Sequence, residues 1–286
     1  MPATSPTDDA AGGPPTSLRY AHHVRVGPAV GELWDKRSLV RLLAEREYRV
    51  RYKQAWLGVS WAVLSPLALM LVFTVFLNKV ARIDAGAAPY PLFTYLGLLP
   101  WTFFSTSVSQ GGQSLIANSM LLTKVRCPRE VFPISSVVIA GLDTAVALSV
   151  LAGLFVLYGY APRVQSYWVP PLLAVQIAFT LGVTLLTSAV TVYVRDVRHG
   201  LPILLQVGLF ATPVAYGLNR LSSSFRVIYV ALNPLAAVIE GYRSSVLFGK
   251  APDATLCAVA ACSAFATLFL GYWAFKRLEV GIADVV

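Results

Sequence analysis

Residues 134–158 read ISSVVIAGLDTAVALSVLAGLFVLY, 25 positions carrying a single charge, Asp143. About 20 apolar residues in a helix cross roughly 30 Å of hydrocarbon. This stretch is long enough to span a bilayer and too apolar to clothe a soluble domain. Working outward, comparable runs recur near 55–78, 91–114, 169–194 and 253–275. A sixth, near 200–219, is shorter and carries Pro202 and Pro213. Each proline removes a backbone donor and favours a kink. The stretch 227–248 is interrupted by Asn233-Pro234, Glu240, Gly241 and Arg243, too broken to cross once. It predicts one or two short re-entrant helices. The expected fold is all-α and integral to the membrane. It has six transmembrane helices, with gate helices over 222–248 between spans five and six.

Composition agrees. Of 286 residues, 56% are hydrophobic and 13% charged, about half the share of roughly 25% in soluble domains. The net charge of +9 points to nucleic acid or to an anionic membrane face. The apolar runs decide for membrane lipid, and no nucleic-acid partner is expected. With the N-terminus inside, the inner segments hold 16 of the 23 Lys and Arg residues, the bias expected of cytoplasmic loops. Six spans return the C-terminal tail, 276–286, to the cytoplasm. The expected location is the cytoplasmic (inner) membrane.

Residues 1–29 are polar, rich in Pro, Gly and Ala, and lack an apolar core. They read as a disordered N-terminal tail without a cleavable signal. Over 30–54 an amphipathic cytoplasmic interface helix is expected. Arg37, Arg41, Glu45, Arg49 and Lys53 fall every fourth residue, while Leu33, Val40, Leu43, Ala44 and Tyr48 take a different face. Arg41–Glu45 and Glu45–Arg49 are spaced as ion pairs worth a few tenths of a kcal/mol each. Such a helix suits the inner membrane surface.

Several chemistries are missing from the sequence. There is no Gly-rich Lys-Ser/Thr loop to cradle ATP phosphates. There is no zinc-protease helix and no nucleophile elbow. The three histidines lie in the tail or in a short loop, and Cys127, Cys257 and Cys262 lack metal spacing. Asp143 is the only acid inside a clear span, too little for a paired-carboxylate site. A carboxylate at that depth costs about 2.5–3.5 kcal/mol on insertion scales, so it should face protein or water. Either a polar pathway or a hydrogen bond to a neighbouring helix would satisfy it. A membrane enzyme acting on lipid-linked sugar is therefore disfavoured, and no metal or cofactor is expected on this chain.

The polar punctuation between the spans is more specific. Span one is entered through RYKQAWLGVSWAVLSP, residues 51–66, and span two begins YPLFTYLGLLPWTFF, residues 90–104. Residues 118–133 read NSMLLTKVRCPREVFP. Then come YVRDVRH at 193–199, FATPVAY at 210–216 and NPLAAVIEGYR at 233–243. In this order the segments resemble the type-2 ABC exporter permeases of polysaccharides and polyol phosphates, over about residues 32–275. That family includes O-antigen, capsule, teichoic acid and mycobacterial galactan exporters. One departure is Cys127, where the family pattern usually has an aromatic before Pro-Arg-Glu. A drug or lipid exporter of the same type is the alternative. The basic helix and the Pro-Trp-x-Phe-Phe run favour the polysaccharide class.

The resemblance implies a homodimer of permeases, each spanning over 55–275, with two copies of a separate ATPase that binds ATP and Mg. It implies a lipid-linked polysaccharide as substrate. The loop 115–133 then holds the ATPase-coupling helix. Met120, Leu121 and Leu122 would enter an apolar cleft of the ATPase. Lys124, Arg126 and Arg129 would pair with acids around it, and Pro128 would stiffen the exit. Arg195 and Asp196 form a second contact or simply cap span four. A sugar path needs aromatics with polar rims. Trp101, Phe104, Tyr216 and Tyr242 are the expected channel residues, and Glu240 with Arg243, spaced to pair across one turn, the gate. Arginine outnumbers lysine 17 to 6, which points to a GC-rich genome and tilts the choice of polymer slightly toward a galactan.

Overall fold

The computed structural model describes residues 37–53, 58, 60–82, 86, 88–124, 128–218 and 222–285. The expected tail, 1–29, lies outside them, as does the start of the amphipathic helix. Every element among the described residues is helical. They are α1 (Arg37–Lys53), α2 (Ser60–Phe73, continued by wider turns over Thr74–Val80), α3 (Tyr90–Ala117), α4 (Ser119–Lys124) and α5 (Val131–Leu157). Then come α6 (Val169–Tyr193, entered through a tight turn over Val164–Trp168), α7 (Val197–Ala211) and α8 (Ser223–Leu232). The chain closes with α9 (Pro234–Tyr242, continued by Arg243–Leu247) and α10 (Ala254–Val285).

Among the described residues, four stretches are long and apolar enough to cross a bilayer: Ser60–Val80, Val131–Leu157, Val164–Tyr193 and Ala254–Glu279. Helix α3 falls outside this set on composition, not on length. Its 28 residues reach about 42 Å at 1.5 Å per residue. Its second half is rich in Ser, Gly and Gln. The reason is packing. Helices α2, α5, α6, α7 and α9 all lie against α3, and most of its residues are buried. A helix wrapped in protein is not selected for solubility in lipid.

The run expected over 200–219 stops early. Helix α7 has 15 residues and ends at Ala211, about 22 Å of helix. Pro202 lies inside it. Pro213 falls beyond its end, so it marks a stop where a kink was expected. The broken stretch after it forms two short helices. The break is at Asn233-Pro234, with proline opening α9, a position where its missing N–H costs nothing. The Asn233 side-chain amide donates to Thr212 Oγ1 at 2.8 Å, tying the break to the end of α7.

Helix α1 carries the expected ion pairs, Arg41–Glu45 at 2.8 Å and Arg49–Glu45 at 4.0 Å. Its other face packs on the bundle. Ala44 is buried, and Leu43 joins a cluster with Leu115, Phe132 and Phe275. Nine residues on, the Tyr52 hydroxyl donates to Asp143 Oδ1 at 2.8 Å. Helix α1 therefore runs alongside the first half of α5.

The most extensive helix pair is α6 with α10. Gly182 and Gly271 let the two backbones touch. A Cβ on Gly182 would sit 2.6 Å from the Thr267 carbonyl oxygen and the Leu268 nitrogen. Small residues at a crossing are the usual route to close helix packing in lipid.

Candidate functional site

Three groups of polar side chains stand out: one at each end of the bundle and one in a recess between α1, α2, α3 and α5.

At the α4 end, α3 stops at Ala117 and α4 follows after Asn118. The expected apolar triplet divides. Met120 is 75% exposed. Leu121 and Leu122 turn back against Leu115 and Phe132 of the same chain. They are hydrophobic enough to prefer that cluster to water. The Lys124 side chain and all of Arg126 lie outside the described residues. Pro128 and Arg129 accept, through their carbonyls, the amides of Val131 and Phe132 at 3.3 Å each, so this segment winds directly into α5.

The exit from the loop is fastened to the last helix. Arg129 Nη1 donates to the carbonyl of Glu279. Glu130, 1% exposed, takes an ion pair from Lys276 Nζ at 2.7 Å. The same ammonium reaches Glu279 Oε2 at 2.9 Å. The Tyr193 hydroxyl, at the end of α6, donates to the Leu278 carbonyl at 2.6 Å. Pro-Arg-Glu was visible in the sequence as a motif. Lys276 was visible only as one of the basic residues that set orientation. Nearby, Arg195 and Asp196 are exposed. Asp196 stands at the N-terminus of α7 without a side-chain cap.

At the α9 end sits Arg243, wholly buried. A pair with Glu240 was expected across one turn. The guanidinium donates elsewhere: Nε to the Phe93 carbonyl at 3.1 Å, Nη1 to those of Pro213 at 2.8 Å and Tyr216 at 3.0 Å, and Nη2 to Val214. It lies over the Phe93 ring, 3.6 Å from its centroid. Glu240 Oε2 is buried and makes no hydrogen bond. Three of its acceptors are carbonyls of the turn that follows α7, which the fold brings over the guanidinium. Gly97 leaves the space, since a Cβ there would meet the Val214 oxygen at 2.6 Å.

Three of the four aromatics expected on a channel are packed inside the chain. Trp101 is 7% exposed and its ring covers Gly208, where a Cβ would approach it to 2.8 Å. Phe104 stacks on Phe179 with centroids 5.4 Å apart. The Tyr242 hydroxyl donates to Gln176 Oε1 at 2.8 Å, and that amide reaches the Pro100 carbonyl at 3.3 Å. Tyr216 is half-buried. Its hydroxyl donates to the carbonyls of Phe210 and Ala211, at 3.0 Å each, and so satisfies the end of α7.

The third group surrounds Asp143. The neighbour-helix hydrogen bond that could satisfy this acid is made, by Tyr52 from α1. Beside it opens a recess of about 270 Å³. Thr102, Thr106 and Gln110 line it from α3. Spacing by four places them on one face, the signal by which the sequence would have revealed them. Among the described residues, no group of three or more His, Cys, Asp or Glu side chains is placed to hold a metal.

This arrangement is a helical membrane bundle with a polar face, a fastened loop at one end and a buried cation at the other. It has no nucleophile–base constellation among the residues just described, and it fits a transport scaffold. The family model for ABC-2 type transporters matches residues 38–247, and the chain belongs to that family. An O-antigen export system permease protein RfbA from Myxococcus xanthus is 36% identical over 236 residues, 82% of this chain and 90% of the relative. A namesake from Klebsiella pneumoniae is 29% identical over 221 residues, 77% of this chain and 83% of the relative. The polysialic acid transport protein KpsM of Escherichia coli is 26% identical over 247 residues, 84% of this chain and 93% of the relative.

Proposed function

We propose that the chain is the membrane subunit of an ABC exporter that moves a lipid-linked polysaccharide of the O-antigen class across the cytoplasmic membrane. The observation that carries this reading is the 36% identity extending over 90% of an O-antigen export permease. Two copies form the path, and two copies of a separate ATPase bind ATP and Mg and supply the energy. The six spans are α2, α3, α5, α6, α7 and α10, with both termini in the cytoplasm. Helix α3 crosses inside a protein sheath, and α8 with α9 dips in from the outer side.

The ATPase docks on the α4 end. Met120 offers its exposed side chain, and Lys124, Arg126 and the Arg195-Asp196 turn supply charge. Leu121 and Leu122 hold α4 to the bundle. Arg129 and Glu130 then carry a displacement of the loop to α10 through Glu279 and Lys276. This division of labour suits a chain whose sequence has no phosphate-binding loop. The path itself runs over the polar face beside Asp143, because Trp101, Phe104 and Tyr242 serve as interior packing.

Disrupting the gene is expected to trap the lipid-linked glycan on the inner side of the membrane. Normal surface glycan in the disrupted strain would end this reading. Charge reversal at Lys124 and Arg126 is expected to leave ATP hydrolysis uncoupled from export. Unchanged export with both reversed would remove α4 as the docking element.

A further inference from the structure

The recess beside Asp143 has a chemical character that a bare membrane groove lacks. Its polar lining pairs donors, from Ser65, Thr106 and Gln110, with firmly oriented acceptors. The Thr102 hydroxyl spends its proton on the Leu98 carbonyl at 2.7 Å, and Thr144 spends its own on the Ala140 carbonyl at 2.8 Å. Both oxygens therefore present lone pairs to whatever occupies the recess. Asp143, which also lines it, adds a carboxylate held in place by Tyr52. Hydrocarbon chains leave such groups unsatisfied, and each polar group facing them is costly. A phosphate or carboxylate ligand would bring a second negative charge against the Asp143 carboxylate.

The apolar part of the wall is equally specific. Trp61 borders the recess and is 54% exposed. Ala62, Pro66 and Ala147 complete a low, smooth surface. A pyranose ring matches both halves. Its hydroxyls donate to Thr102, Thr144 and Asp143, while its C–H face lies on an aromatic ring. The volume of about 270 Å³ makes it a single-residue site.

We infer that this recess is a binding site for one neutral, hydroxyl-rich hexose unit of the exported glycan, closed at one end by the Tyr52–Asp143 hydrogen bond. The inference rests on the exporter reading above and narrows its substrate to glycans containing neutral hexoses. The site is distinct from the aromatic cluster of Trp101 and Phe104.

The test uses the purified permease in lipid nanodiscs and saturation-transfer NMR, with methyl α-D-mannopyranoside, methyl β-D-galactopyranoside and methyl glucuronate as probes. Transfer to a neutral glycoside is expected. Thr102→Val with Thr144→Val keeps shape and removes both acceptors. Apparent affinity should fall about tenfold, the loss expected of two hydrogen bonds, and Thr102→Ser with Thr144→Ser should restore it. Thr191→Val, which removes an equivalent hydroxyl bonded to Thr187 in its own helix, should change nothing. Undiminished transfer in the double valine variant overturns the site, and stronger transfer to the glucuronate overturns its class. In cells the two readings separate. Glycan export that survives gene disruption removes the exporter. Export that needs the gene yet runs at full rate in the double valine variant removes the recess alone.

Discussion

At the α9 end one guanidinium gathers four backbone carbonyls; at the α4 end four charged side chains and a tyrosine gather at the last helix. The Arg243 knot is buried and made almost wholly with backbone. Its partners come from α3 and the turn after α7, elements that cannot shift without orphaning a buried acceptor. The Glu130–Lys276–Glu279 cluster is graded instead. The Glu130 side chain is 2% exposed, that of Lys276 19% and that of Glu279 22%. The shared ammonium can release Glu279 at little cost, because that contact is partly wetted, while Glu130, buried, keeps it in place. A rigid knot suits an end that must keep its shape. An exchangeable ionic tie suits an end that receives motion from outside. Ionic bonds are not equal in kind, and burial with the number of backbone partners decides which are hinges and which are rivets.

The comparison can be broken at its strong end first. Arg243→Met takes the partner from four carbonyls, three of them in buried contacts, at about 1–3 kcal/mol for each buried acceptor left unsatisfied. Loss of the folded protein, or a collapse of its melting temperature in detergent, is expected. Arg243→Lys should rescue little, since an ammonium lacks the planar fork. A melting curve like that of the unaltered protein would show that the knot carries no load.

Gly182→Val comes next. The new side chain meets the backbone of α10, and overpacking of this kind costs about 1–3 kcal/mol. A lowered melting temperature is expected without a change in the ratio of ATP hydrolysed to glycan exported. A changed ratio with normal stability would assign coupling to the α6–α10 crossing and weaken the case for the α4 end.

At the ionic end, Lys276→Met should cost less stability than Arg243→Met and more coupling. The expected readout in the reconstituted complex is continued ATP hydrolysis with reduced export. Exchanging the charges, Glu130→Lys with Lys276→Glu, should recover part of the export. Export at the full rate in Lys276→Met would make the tie structural only. The smallest effect is reserved for the exposed pair. Arg41→Ala removes a contact between side chains 83% and 45% exposed, and a change within a few tenths of a kcal/mol is expected. A large loss would mean that α1 uses Arg41 against a partner.

Legibility from sequence followed the range of the contact. The pairs Arg41–Glu45 and Arg49–Glu45 were legible because both partners belong to one helix with fixed spacing. The break at Asn233-Pro234 was legible because proline cannot continue a helix. Glu240 and Arg243 carry the same spacing cue, and it misled. The partners that win Arg243 are residues 93, 213, 214 and 216, brought in by the fold. Aromatic content likewise marked Trp101, Phe104 and Tyr242 as notable but did not distinguish a channel wall from an interior. Gly208, Phe179 and Gln176, their actual neighbours, are distant in the chain.

The sequence by itself determined an all-helical membrane protein, and its motifs in order marked the exporter class. Hydrocarbon allows few ways to satisfy a backbone, so apolar runs translate almost directly into helices. Only the tertiary structure decided that α3 is the sheathed centre, that Arg243 is a rivet, that Lys276 joins the α4 end, and that Asp143 borders a recess. Each depends on carbonyls, hydroxyls or charges from segments far apart in the chain, and no local pattern records which of them meet.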